Sequence, residues 1–128
     1  MKDTVRLAGA VLGIDGNARL TAYIGHDGLM DFRLVNDFAN ADSVKRDAII
    51  LACISKRYFA SFLRSTGATP LVWTTGLMCP EAYTLHDALR GYINGEPTEN
   101  IRRYAAQAYN KNQRCGAKAA QNLLVTGW

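Results

Sequence analysis

A chain of 128 residues with 48% hydrophobic and 20% charged content is long enough to form one domain around its own core. Its net charge of +4 is too small to claim a nucleic-acid partner, and no stretch approaches the length of a membrane span. The three cysteines, Cys53, Cys79 and Cys115, form no C-x-x-C and no cluster with histidine. That argues against a disulfide framework or a structural zinc site, and it suits a reducing, cytoplasmic setting.

In chain order, Met1 to Gly13 places Val5, Leu7, Ala8, Val11 and Leu12 at spacings that predict an amphipathic helix, with Asp3 or Thr4 as its cap and Gly13 as its stop. The glycines at 9, 13 and 16 follow no strand and fit neither common phosphate-loop fingerprint. Ile14 to Arg19 reads as a turn, and Leu20 to Gly28, L-T-A-Y-I-G-H-D-G, as a strand that ends in glycine and then His26. The apolar half-element Leu29 to Val35 follows. There, Asp31 reads as a solvated turn carboxylate, and a metal site built from His26, Asp27 and Asp31 lacks a further ligand at suitable spacing. Asn36 to Arg46 is a polar linker, long enough to bring the chain back for a parallel strand.

Asp47 to Ser55, D-A-I-I-L-A-C-I-S, is an unbroken apolar run that delivers Cys53 to the point where hydrophobicity stops. A buried cysteine commonly serves as a small hydrophobe. A thiol at the carboxyl end of a strand, however, lies where ligands collect in open α/β sheets, and a histidine at the end of a neighbouring parallel strand is a suitable base for it. Beyond it, Tyr58, Phe59, Phe62 and Leu63 mark a helix closed by Gly67. Its amino end, with Lys56 and Arg57, would favour a thiolate.

Leu71 to Trp73 form a third strand, whose end at Thr74, Thr75 and Gly76 joins the same crevice. Pro80 starts a helix with Cys79 at its cap and Glu81 in its first turn, running to Ile93. Thr98 caps a long helix from Glu99 towards Val125, kinked at Gly116. On it Arg102, Arg103, Lys111, Arg114 and Lys118 lie largely off the apolar face. They motivate a basic nucleic-acid-binding module as an alternative, against which stands the reading of a solvated helix face.

The pair of blocks T-A-Y-I-G-H-D-G and A-I-I-L-A-C, histidine before cysteine, resembles the caspase-like cysteine peptidases, the group of caspases, legumains, gingipains and separases. The resemblance implies an α/β domain, a partial caspase-like three-layer sandwich with a short parallel sheet flanked by helices. It implies peptide-bond hydrolysis by a Cys53 and His26 dyad without a cofactor, on a peptide or protein substrate. The oxyanion would be held by the Cys53 N–H and by one from Asp27 or Gly28. In the family a glycine usually follows the histidine directly, whereas here Asp27 intervenes. The loop after the third strand commonly shapes the substrate pocket in that group, which makes Thr74, Thr75 and Glu81 the candidate substrate-binding residues. A catalytically silent interaction domain of the same fold is the competing expectation. The group also has strands ahead of the histidine strand that this chain does not supply. The expectation is therefore an N-terminally incomplete domain, or a homodimer in which a second copy covers the edge at Leu20.

Overall fold

The computed structural model describes residues 2–36 and 38–128. Met1 and Asp37, one belonging to the expected first helix and the other to the expected linker, lie outside the described residues. The chain is a mixed α/β domain. Its centre is a sheet in the order β3 (Leu20–Ile24), β4 (Asp47–Leu51), β5 (Thr69–Thr74) and β6 (Leu124–Val125), numbered after an N-terminal hairpin, β1 (Lys2–Leu7) and β2 (Ala10–Asp15). The first three central strands are parallel, as their spacing predicts, and β6 returns antiparallel to β5.

Helices cover both faces. The faces of β4 alternate: Ala48 and Ile50 join Trp73 beneath helix α1 (Ser55–Thr66), while Ile49 and Leu51 join the opposite core. That second core also takes in residues of α2 (Ala82–Ile93), α3 (Thr98–Gln113) and α4 (Ala117–Leu123). A strand covered on both sides has no reason to alternate, so β4 is apolar from Ala48 to Leu51. Ile49, Leu51 and Val72 are fully buried, each contributing about 1.5–3 kcal/mol by burial. Helix α2 approaches α3 closely at Gly91, where a Cβ would stand 2.9 Å from the Tyr104 ring.

Residues 2–15 correct the sequence reading. They form a hairpin, not a helix, with Val5 opposite Leu12 and Leu7 opposite Ala10. Ala8 and Gly9 both take positive φ, 44° and 85°, as a two-residue turn matched to strand twist requires. Two further corrections concern helix ends. The α2 helix starts at Ala82 with Glu81 at its cap position, two residues later than the Pro80 start expected, and neither Cys79 nor Glu81 supplies a side-chain cap. The long C-terminal helix is two helices, broken where Arg114 (φ 54°) and Gly116 (φ 94°) leave helical space, and it ends in the short strand β6.

Strand β3 pairs only with β4 among the described residues. The Gly25 N–H and the Arg19 carbonyl bond to β4, so the odd-numbered residues face that neighbour. By alternation the N–H and C=O groups of Leu20, Ala22 and Ile24 point outward along an open edge.

Candidate active site

The register of β3 and β4 sets the site. Ile24 lies opposite Leu51, and the Gly25 N–H bonds the Leu51 carbonyl at 3.1 Å, so the two strands end level. His26 and Cys53 each follow two residues after these matched positions, on adjacent strands at the same edge of the sheet. No hydrogen bond joins the His26 ring to the Cys53 thiol among the described residues.

The histidine turn is tightly built. The His26 carbonyl accepts the Tyr23 hydroxyl at 2.6 Å and the Gly28 N–H at 3.1 Å. Asp27 is fully buried; one carboxylate oxygen accepts the Leu29 N–H at 3.0 Å and opens a single 3-10 turn, Gly28–Met30. Its Oδ2 has no hydrogen-bond partner among the described residues. Burial therefore pushes the Asp27 carboxyl above its ordinary value, against the lowering effects of the Leu29 hydrogen bond and of His26. The short turn swings Asp31 back onto the histidine, where its carboxylate meets Nε2 at 2.5 Å. Asp31 is thus a partner of His26, not the free turn carboxylate that the sequence suggests. With Nε2 so engaged, Nδ1 is the nitrogen left for a thiol.

The cysteine turn is held from beneath. Ile54, between β4 and α1, sits in the left-handed region at φ 53°, an outlier for a β-branched residue. Such a conformation costs on the order of 1–3 kcal/mol and persists only where surrounding contacts fix it. Those contacts are a buried network. The Ser55 hydroxyl donates to the Ile50 carbonyl at 2.8 Å and accepts the Thr74 N–H at 3.0 Å. The Thr74 hydroxyl donates to the Ala52 carbonyl and accepts the Ser55 N–H at 3.0 Å. The Ile54 N–H reaches the Gly76 carbonyl at 2.9 Å. Strand β4, the start of α1 and the end of β5 are thereby locked together around Cys53.

The thiol is half-buried and lies against the loop after β5. The Met78 N–H donates to Sγ at 3.4 Å, and the Met78 carbonyl stands 3.6 Å from it. A backbone donor and a backbone acceptor thus both reach the sulfur, and the amino end of α1 begins two residues on. Lys56 adds less than expected: its ammonium lies over the Trp73 ring and reaches the Gly127 carbonyl at 3.4 Å. Arg57 lies over Tyr58.

The remaining sequence candidates divide. The Gly28 N–H is occupied by the His26 carbonyl, which corrects its expected role as an oxyanion donor; the N–H groups of Cys53 and Asp27 carry no acceptor among the described residues. Thr74 is fully buried and acts as a brace, so it presents no surface to a substrate, a second correction. Thr75 is exposed, but its hydroxyl donates to the Asn122 carbonyl at 2.7 Å and ties the end of α4. Glu81 is exposed. Sequence reading weighed Asp31 only as a turn carboxylate or metal ligand, and it missed Ser55 and Met78. Of these only Ser55 left a signal, a small polar residue directly behind a buried run.

Among the described residues no group of three or more His, Cys, Asp or Glu side chains is placed to hold a metal ion. On α3, Arg102 is fastened to Glu99 and to the carbonyls of Gln121 and Leu124, and Arg103 lies over Tyr104, which reduces the free basic surface. No helix of the described residues is long and apolar enough to cross a membrane. Comparison of the chain with protein-family models, curated proteins and solved structures finds no match.

Proposed function

We propose that the chain is a caspase-like cysteine peptidase acting through Cys53 and His26. The observation that carries this reading is the level ending of β3 and β4, which sends a histidine and a cysteine out of adjacent parallel strands at one edge. In the proposed cycle the Cys53 proton passes to His26 Nδ1, and sulfur attacks the scissile carbonyl. The oxyanion is held by the N–H groups of Cys53 and Asp27. His26 returns the proton to the leaving amine, and water then hydrolyses the thioester, regenerating the thiol. Asp31 on Nε2 fixes the orientation of the ring. Hydrogen bonds between catalytic groups are often long in the unliganded state and tighten on substrate, so the missing His26 to Cys53 bond is compatible with this cycle. Exposed Glu81 makes peptides with Arg or Lys before the cut the first substrates to try.

A catalytically silent interaction domain of the same fold is the second reading, favoured by one observation: the sulfur is engaged by Met78 and not by His26. The two readings separate on thiol chemistry. Brief alkylation at neutral pH, followed by mass spectrometry, is expected to label half-buried Cys53 faster than the exposed Cys79 and Cys115. A His26→Ala variant should lose that advantage. Labelling in order of exposure alone, with Cys53 slowest, would refute the dyad and leave the silent domain.

A further inference from the structure

The N-terminal hairpin has two different faces. Register places Val5, Leu7, Ala10, Leu12 and Ile14, with Asp3 at their margin, on one side and Lys2, Thr4, Arg6, Val11, Gly13 and Asp15 on the other. Every residue of both strands is exposed, the apolar side included. A lone two-stranded hairpin is marginal in water, and an amphipathic one is shaped to lie on something. Both of its outer edges are also free of strand partners among the described residues.

The same chain carries the complementary surface. Beside the open edge of β3 runs an apolar groove of about 540 Å³, lined by Tyr23, Phe32, Leu34, Phe38, Phe59 and Phe62 among others. Tyr23, Phe32, Leu34 and Phe38 remain 41–55% exposed there. The hairpin does not reach this groove in its own chain. Its base is clasped to the 40–46 segment, where Asp42 accepts from Arg46 at 2.7 Å and from Lys2, while Arg46 also bonds the Gly16 carbonyl. The clasp keeps the hairpin in a sheet of its own.

We infer that the chain forms a two-fold dimer by reciprocal exchange of this arm. The hairpin of one copy adds to the outer edge of β3 of the other, and its apolar face closes over the groove. Strand addition satisfies the outward groups of Leu20, Ala22 and Ile24, while the twofold satisfies both copies at once. The areas agree with this. Four half-exposed apolar side chains on the arm and four at the groove offer about 600 Å² per chain, so reciprocal docking buries roughly 1,200 Å², at the threshold of a specific interface. The inference is independent of the catalytic role of Cys53.

Sedimentation equilibrium and amide exchange on the full chain, compared with a Leu7→Asp/Leu12→Asp variant, test it. Both replaced side chains are exposed, so the fold of the remaining domain is expected to persist, checked by its helical circular dichroism. The wild-type chain is expected to be dimeric at micromolar concentration, with slow exchange at Leu20, Ala22 and Ile24. The variant should associate at least tenfold more weakly and exchange those amides at least tenfold faster. Three outcomes would overturn the inference. A wild-type monomer with rapid exchange leaves the edge open, a monomer with slow exchange shows the arm closing on its own chain, and a dimer indifferent to the substitutions uses another surface.

Discussion

Replacing Thr74 by valine removes one oxygen and preserves shape, which isolates the brace under the cysteine turn. The Ser55 proton goes to the Ile50 carbonyl and the Thr74 proton to the Ala52 carbonyl, so each hydroxyl has one backbone N–H left to accept, from Thr74 and Ser55 respectively. In Thr74→Val the Ser55 N–H and the Ala52 carbonyl lose their partners inside a fully buried site. Each orphaned group costs about 1–3 kcal/mol, and partial relaxation brings the total to about 2–4 kcal/mol. For a domain of this size that corresponds to a fall in Tm of roughly 8–15 °C. Urea titration gives the free energy and calorimetry the midpoint. Thr75→Val is the control: its hydroxyl also donates to a carbonyl, at 2.7 Å, but in an exposed position where water substitutes, so its cost should stay below about 0.5 kcal/mol. Equal losses for the two variants, or a Thr74→Val loss under about 1 kcal/mol, would refute the buried brace.

Four further outcomes are expected. Arg114→Gly relieves an exposed left-handed helix end and should stabilise by about 0.5–1 kcal/mol in chemical denaturation. Asp27 has a folded pKa above its unfolded one, so its favourable contribution is complete below about pH 4 and is lost as pH rises through the folded value. Asp27→Asn keeps an acceptor for Leu29 and should remove that decline, flattening the dependence of Tm on pH above 4 relative to the wild type. Asp31→Asn should slow alkylation of Cys53 and alter its pH profile while leaving stability nearly unchanged, since the His26 to Asp31 pair is mostly exposed. Glu81→Gln should reduce cleavage of peptides with Arg or Lys before the cut and spare neutral ones, as read from paired kcat/KM values.

What the sequence discloses and what it conceals follow from the range of the interactions. Strands β4 and β5 are legible because each carries a short apolar run bounded by polar residues, Ala48–Leu51 and Leu71–Trp73, and β3 because its residues run into Gly25; the linker length then permits parallel pairing. The hairpin misleads for a geometric reason. Val5, Leu7 and Leu12 share one face of the hairpin, but Ala8 in the turn and Val11 on the opposite face complete with them a spacing that imitates a helix. The chemistry around the thiol is concealed differently. Met78 reaches the sulfur from 25 residues downstream, and Thr74 braces Ser55 from 19 residues away, so neither is visible in the segment it serves. Asp31 is five residues from His26, and its return depends on the turn opened by the buried Asp27. Asp27 supplies the carboxylate that caps Gly28–Met30, and the cap is what brings a second carboxylate onto the histidine. The orientation of His26 therefore depends on Asp27.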